Sequence, residues 1–334
     1  MPDTRWMQRA LELAERGRWP DPNPRVGCVL VDRAGQVVAE GVHAGAGTPH
    51  AEVAALTRAG ERARGCTAYV TLEPCAHTGR TGPCADALVA AGVEAVVYAQ
   101  SDPNPAAAGG TRVLRRAGVR VLGGCCAAAA EALNERWART VRLGRPLVTW
   151  KFAATLDGRS AAADGTSRWV TGEQARADVH RLRAARDAVL VGTGTVLADD
   201  PRLTVRDLDD RPLPRQPLRA VMGLRPVPAG ARVADGPGAL QVLPTHDPAA
   251  ALAALWDKGI RDVWLEGGPT LAAAFVRSEL VDEVYAYLAP ALLGAGTPAV
   301  GDLGITTMAG IRRLRINDVR VIGYDVRIHA VAKE

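Results

Sequence analysis

Hydrophobic positions along the chain switch between a helical period and short branched runs, and they do so in two successive sets. Residues 4–16 place Met7, Leu11 and Ala14 on one stripe, which predicts an amphipathic helix with Thr4 as its N-cap. Apolar runs at 26–31 and 36–42 predict two strands that turn at Ala34-Gly35. Residues 50–59 read as a short helix behind Pro49, 67–72 as a strand and 83–91 as a helix behind Pro83. A strand at 93–98, a helix near 109–117, a strand at 118–122 and one Ala-rich helix from Cys125-Cys126 to about 142 complete the first set. Gly144-Arg145-Pro146 interrupts the pattern. Beyond it lie a strand at 147–153, a helix at 173–185, the all-apolar strand 188–191, a strand at 218–222, a strand at 262–265 and a helix at 270–278. Strands near 282–288, 315–322 and 324–330 finish a mixed sheet. Such alternation implies an α/β protein of two domains, 1–144 and 147–334.

Composition narrows the setting. With 334 residues, each half is long enough to bury its own core, and 48% apolar with 23% charged residues is ordinary globular usage. No run approaches the ~18 apolar residues of a membrane span. Arg5 and Arg9 are not followed by the apolar segment of a secretory leader, so a cytoplasmic protein without a membrane partner is expected. The six cysteines, at 28, 66, 75, 84, 125 and 126, do not form a disulfide framework in a chain of this length. Cys125 and Cys126 read as small apolar filler. Net charge is +5, with 18 arginines against 14 acidic residues through Pro146. That excess is too mild, and too poor in interleaved aromatics, for a nucleic-acid groove; small phosphorylated ligands suit it better.

One constellation in the first half carries chemistry. Pro49-His50-Ala51-Glu52 is followed by Pro74-Cys75 and Pro83-Cys84. Zinc prefers tetrahedral N and S ligands, and a catalytic site keeps its fourth place for water. His50, Cys75 and Cys84 supply three ligands, and Glu52 is left as a proton carrier, the pattern of zinc nucleobase deaminases. His50 and Glu52 stand two apart, which places them on opposite sides of a regular helix, so His50 must lie just before the helical turn closes. Eight residues separate the two thiols, and they include His77, Arg80 and Thr81 beside two glycines, equipment suited to a phosphate. Asn23 and His43 are polar residues at strand ends.

The second half has two strand-to-glycine turns, Gly192-Thr193-Gly194-Thr195 and Glu266-Gly267-Gly268-Pro269-Thr270. Free amides at such turns favour anions, and Pro269 opens a helix. Neither is a GxGxxG, so the usual dinucleotide fold is not indicated. Lysine occurs only at 151, 258 and 333. Lys151, on a site-facing strand of a chain that otherwise uses Arg, points to a need for a compact ammonium.

With both halves laid out, the chain closely resembles the bifunctional deaminase–reductases of bacterial riboflavin biosynthesis. The match includes Asn23-Pro24-Arg25-Val26-Gly27 and the runs 47–53, 69–75, 79–84 and 102–105, then 154–159, 168–171, 195–201 and 266–271. The resemblance implies a cytidine-deaminase-like α/β/α zinc domain followed by a dihydrofolate-reductase-like α/β domain. The first would hydrolyse the 2-amino group of 2,5-diamino-6-(5-phosphoribosylamino)pyrimidin-4(3H)-one, and the second would reduce the ribosyl group to ribityl with NADPH. It places deaminase substrate contacts on Asn23, His43, His77, Arg80, Thr81 and Asn104. Cofactor contacts fall on Ala154, Trp169, Thr195, Asp199 and the turn Gly268, Pro269, Thr270, Leu271, Ala272, Ala273 and Ala274. Reductase substrate contacts fall on Ser167, Arg183, Leu203, Arg206 and Glu266. One zinc per chain and a homo-oligomer, dimer or tetramer, are also implied.

One stretch departs from the family pattern. Where a strand ending in an Asp and a small hydroxyl residue is expected, this chain has Val221-Met222-Gly223-Leu224-Arg225. Arg225 then becomes the candidate for the cofactor's 2′-phosphate, with Gly223 leaving room for it. Two rival functions share the zinc motif: a nucleic-acid or free-nucleoside deaminase with an accessory nucleotide-binding domain, and a zinc-stabilised module without catalysis. The long gap between the thiols and the weak charge disfavour the former. Glu52 and the open fourth position disfavour the latter.

Overall fold

The computed structural model describes residues 3–77, 82–207 and 209–333. The chain divides into two compact units, Met1–Gly144 and Arg145–Glu334.

In the first unit, helix α1 (Thr4–Glu15) precedes strands β1 (Gly27–Val31) and β2 (Val37–Val42) and helix α2 (Ala51–Ala59). Then come β3 (Thr67–Leu72), α3 (Cys84–Ala90), β4 (Ala95–Gln100), α4 (Gly110–Arg116) and β5 (Arg120–Leu122), followed by α5 (Ala127–Leu133) and α6 (Glu135–Leu143). The strands form one sheet in the order β2-β1-β3-β4-β5, antiparallel at β1 and parallel from β3 to β5. Alternate strand residues feed two cores. Cys28, Leu30, Ala68 and Val70 pack with Ala51, Ala55, Leu88 and Leu114 of α2, α3 and α4. Val29, Val31, Tyr69 and Val97 pack with Met7, Ala10 and Leu13 of α1 and Ala130 of α5. The result is three layers, α/β/α.

Two local expectations are corrected. Asp3, not Thr4, caps α1, because its Oδ1 accepts from the Arg5 amide at 3.0 Å. The single helix expected to run to 142 is two, broken at Asn134. That buried amide leaves helical geometry to bind both backbone groups of Arg25, each at 2.9 Å. Cys125 and Cys126 pack against the α1 core as filler.

In the second unit, β6 (Leu147–Thr155) and β7 (Arg159–Ala161) precede α7 (Glu173–Ala184), β8 (Ala188–Gly192), α8 (Thr193–Asp199), β9 (Leu218–Met222) and β10 (Leu240–Leu243). Helix α9 (Pro248–Asp257), β11 (Asp262–Gly267), α10 (Pro269–Arg277), β12 (Glu283–Ala289), β13 (Thr297–Pro298), β14 (Leu314–Ile322) and β15 (Asp325–Ala332) follow. The main sheet runs β10-β9-β8-β11-β6-β12-β15-β14, parallel through β12 and antiparallel in the last two strands. Strand β8 is buried on both faces, as an all-apolar parallel strand should be: Ala188 and Leu190 join the α9 and α10 core, and Val189 and Val191 join the α7 core. Helices α8 and α9 and strand β10 have no counterpart among the elements read from the sequence. No helix among the described residues is long and apolar enough to cross a membrane.

Candidate active sites

Helix α2 starts against β2 at a point where only glycine fits: a Cβ on Gly41 would lie 2.0 Å from the Ala51 carbonyl oxygen. This close approach sets the first turn of α2 on the sheet, and with it His50 and Glu52. His50 is the N-cap residue, with extended backbone, so its side chain leaves before the helix turns and Glu52 can follow it into the same site. Cys75 sits just past the end of β3, and Cys84 opens α3. His50 Nδ1 lies 3.2 Å from Cys84 Sγ and 3.7 Å from Cys75 Sγ, and the Cys84 amide donates to Cys75 Sγ at 3.4 Å. All three ligand atoms lie within 4.8 Å of one another. One imidazole nitrogen and two sulfurs at this spacing fit a tetrahedral zinc with one place open.

Electrostatics make one of the two sulfurs a thiolate, with the proton kept on Cys84, whose thiol is pushed up by its hydrogen bond to Cys75 and then by burial. Hydrogen bonds from Cys84, then from His50, hold Cys75 far below the usual thiol range, at about 4, as suits a thiolate ligand. Glu52 is 4% exposed, and burial raises its carboxyl while neighbouring His50 works the other way.

Around this centre the predicted substrate contacts are partly assembled. His43 Nδ1 donates to the Pro49 carbonyl at 3.0 Å, which leaves Nε2 to accept from Asn23 Nδ2 at 3.1 Å. Burial keeps that imidazole neutral, and its ring stands edge-on to His50 at 5.3 Å. Asn104 spends its Oδ1 on the Ala106 amide within its own loop, and that loop joins the Cys75 segment through Ala76 N to Ala107 O at 3.0 Å. Asp102, in the same loop, is raised to about 6 by burial. His77 is exposed. Arg80 and Thr81 lie outside the described residues.

The second unit holds a separate polar cluster on the α7 side of its sheet. Arg183 of α7 sends Nε and Nη2 to Glu266 Oε1 of β11 at 2.9 and 2.6 Å, and Nη1 to the Thr204 carbonyl at 2.8 Å. Trp264 Nε1 donates to the same carboxylate oxygen at 2.8 Å. Burial works to raise Glu266, but Arg183 and Lys151 outweigh it and hold the carboxylate ionised. Lys151, half-buried on β6, is lowered by burial with Glu266 opposing. His180 accepts from the Arg206 amide at 3.3 Å, and burial, then Arg183 and Arg206, drive it down to about 4. His180, Trp264 and Thr204 were not read from the sequence. Only His180 left a signal, since it stands one helical turn before Arg183.

The two glycine turns meet. Thr195 Oγ1 donates to the Gly267 carbonyl at 3.1 Å and accepts from the Gly268 amide at 2.8 Å. Pro269 through Ala274 then form the first turns of α10, whose opening amides have no acceptor within the helix. Leu271 packs against Gly192. This cradle at the carboxyl ends of β8 and β11 fits a diphosphate. Ser167 Oγ donates to Asp199 Oδ1 at 3.4 Å. Trp169 is 68% exposed and stacks under Arg176 at 4.4 Å. Ala154 is buried on β6, and Leu203 takes a left-handed backbone conformation (φ +55°). Arg225 reaches over Gly194, its Nη2 3.4 Å from where a Cβ there would sit. At Gly223 a Cβ would meet Thr193 Oγ1 at 2.3 Å, so the absence of a side chain lets Thr193 pack there.

Comparison with known proteins gives one answer for both units. Residues 1–100 match the family described as the cytidine and deoxycytidylate deaminase zinc-binding region, and residues 146–328 match the RibD C-terminal domain. The riboflavin biosynthesis protein RibD of Mycobacterium tuberculosis is 48% identical over 93% of this chain and 92% of its own length. That of Escherichia coli is 43% identical over 99% of this chain and all of its own. Acinetobacter baumannii RibD superposes with a TM-score of 0.83 at 41% identity, over 99% of both chains. A diaminohydroxyphosphoribosylaminopyrimidine deaminase/5-amino-6-(5-phosphoribosylamino)uracil reductase of Thermotoga maritima superposes with a TM-score of 0.80 at 31% identity, over 99% of this chain and 98% of that one.

Proposed function

The chain belongs to the RibD family of bifunctional riboflavin-biosynthesis enzymes, and from that premise we propose how its own residues divide the two reactions. It is a zinc deaminase and an NADPH-dependent reductase. Residues 1–144 carry the deamination and 147–334 the reduction. The observation that carries the first assignment is the set of three ligand atoms within 4.8 Å of one another, with the buried Glu52 at the same helix start.

His50, Cys75 and Cys84 hold the zinc. When bound, it supplies a Lewis acid and lowers the pKa of water towards neutrality. Glu52 takes a proton from the attacking water and delivers it, by way of the ring, to the leaving amine, so that ammonia departs and an oxygen stays on the ring carbon. Asn23, oriented by His43, and Asn104 bind the pyrimidine; His77, Arg80 and Thr81 serve the phosphate end. About one zinc per chain is expected by elemental analysis, with Cys75→Ser or Cys84→Ser losing it, because each removes one of three ligands. Full occupancy in both variants would refute the assignment.

In the second unit, the locked turns at Thr195 and Gly268 and the start of α10 bind the cofactor's diphosphate, with Ala154, Trp169 and Asp199 completing its contacts. NADPH supplies the hydride. Ser167, Arg183, Leu203, Arg206 and Glu266 hold the phosphoribosyl substrate, and Lys151 gives a proton to the sugar-ring oxygen that is released when the carbon it leaves takes the hydride. Arg225, held over Gly194 at the carboxyl end of the sheet, reads the 2′-phosphate through charge-assisted hydrogen bonds. Arg225→Ala should weaken NADPH by about 1.5–3 kcal/mol and leave NADH nearly unchanged. Michaelis constants for both cofactors decide it; an unaltered NADPH/NADH ratio assigns the phosphate to another residue. The enzyme acts on a small phosphorylated pyrimidine in the cytoplasm, without nucleic acid, as a homo-oligomer (dimer or tetramer).

A further inference from the structure

Residues 203–206 are tied to the polar cluster of the second unit through the Thr204 carbonyl and the Arg206 amide. Beyond them the chain turns back. The Leu213 amide donates to the Val205 carbonyl at 3.0 Å, and Gln216 Oε1 and Nε2 bind the Val205 amide and carbonyl at 2.8 and 2.9 Å. The turn carries three aspartates with different duties. Asp207 spends its Oδ1 within the turn, accepting from the Asp209 and Arg211 amides, each at 2.9 Å. Asp209 pairs with Arg211 at 3.6 Å. Asp210 has a left-handed backbone (φ +62°) and bridges two arginines: Oδ1 binds Arg206 Nη1, and Oδ2 lies 3.5 Å from Arg202 Nη1.

The charge around this bridge is unbalanced. Arg183 is matched by Glu266, which accepts two of its N–H groups. Arg202 and Arg206 share one carboxylate, that of Asp210. Burial lowers Arg206, Asp210 opposes that, and Arg183 and Arg202 add to it. His180, driven down to about 4, is neutral at pH 7 and offsets none of this positive charge. Arg206 Nε is buried without a partner among the described residues. Two guanidinium forks, one carboxylate and an unused donor suit an anion of charge two better than the single charge now between them. The bridge is also open to water, with the side chains of Asp210, Arg202 and Arg206 65%, 45% and 23% exposed. An ion pair this open is weak, so its carboxylate can be exchanged.

We propose that Arg202 and Arg206 form one clamp for the phosphate of the reductase substrate, and that Asp210 fills the clamp until the phosphate displaces it. The proposal rests on the reading of Arg206 as a substrate contact and adds two residues to it, Arg202 as a further binding residue and Asp210 as the competitor. The two oxygens of the Asp210 carboxylate stand where two phosphate oxygens would go, one to each arginine. Phosphate wins the exchange because it brings more charge and a third acceptor oxygen. The displaced side chain passes into water, where most of it already lies. A ligand with a single carboxylate gains nothing by the exchange, so Asp210 makes the clamp selective for phosphorylated compounds.

The test is steady-state reduction of the already deaminated substrate by the full-length protein, at saturating NADPH and fixed ionic strength, with the dephosphorylated form of that substrate as control. Asparagine keeps the shape of Asp210 and tolerates a positive φ, so Asp210→Asn preserves the turn. It should lower the Michaelis constant about fivefold at unchanged turnover, the factor of one partly exposed ion pair. Arg202→Ala should raise that constant by about the same factor. Asp209→Asn, in the same turn, should change nothing. None of the three should alter kcat/KM for the dephosphorylated compound, whereas a disturbed turn would move both substrates. An unchanged or higher Michaelis constant in Asp210→Asn, or an unchanged one in Arg202→Ala, would overturn the clamp; a raised one in Arg206→Ala would then still keep Arg206 on the substrate. Arg206→Ala without effect would overturn that contact as well.

Discussion

Glu52→Gln is expected to slow ammonia release by roughly 10³-fold while the already deaminated substrate is still reduced at the wild-type rate. Glutamine keeps the shape and the acceptor oxygen of Glu52 but cannot carry a proton. The position is buried, so bulk water offers no substitute path for that proton. Zinc content should not change, because Glu52 is not among the three ligand atoms. The second unit has its own two cores, one on each face of its sheet, and none of their residues comes from the first unit. Ammonia release and NADPH oxidation, measured on the same preparation, separate the two activities. Loss of both in a folded variant would contradict the division of labour.

Lys151→Met is expected to have the mirror effect. NADPH oxidation should fall by roughly 10²–10³-fold, with deamination and NADPH affinity unchanged. Burial lowers the Lys151 ammonium, which brings it closer to giving up a proton at neutral pH, and Glu266 keeps it from losing that proton outright. Methionine preserves the stem that packs on β6. Glu266 retains Arg183 and Trp264, so no buried carboxylate is stranded by the change. Stopped-flow reduction with the deaminated substrate measures it. A rate within a few-fold of wild type would make Lys151 a structural residue of the sheet.

The chemistry was more legible in the sequence than the architecture around it. The candidate zinc cluster, whose ligand atoms the fold brings within 4.8 Å of one another, showed because a proline precedes His50, Cys75 and Cys84, and because His50 and Glu52 can share a site only at a helix start. Lys151 was conspicuous because Arg is used almost everywhere else. Helix α9 was not legible: Pro248 to Trp256 is nearly all apolar, so it shows no stripe of period 3.6. The break at Asn134 depends on a bond to Arg25, 109 residues away. His180 likewise takes its role from Arg206, which only the fold brings near. At Gly223 nothing in the sequence hinted that its missing side chain makes way for Thr193. For Asn134, His180 and Gly223 the deciding contact is distant in sequence, and local pattern carries no trace of it.

The central claim, two sites that work independently in one chain, is tested most directly by complementation. Glu52→Gln, Lys151→Met and an equal mixture of the two are each incubated with the diaminopyrimidine phosphate and NADPH, and the products are identified by mass spectrometry. Glu52→Gln alone should leave the substrate untouched, and Lys151→Met alone should accumulate the deaminated ribosyl compound. The mixture should carry the substrate through to the ribityl product. A mixture that stops where Lys151→Met stops would contradict the account.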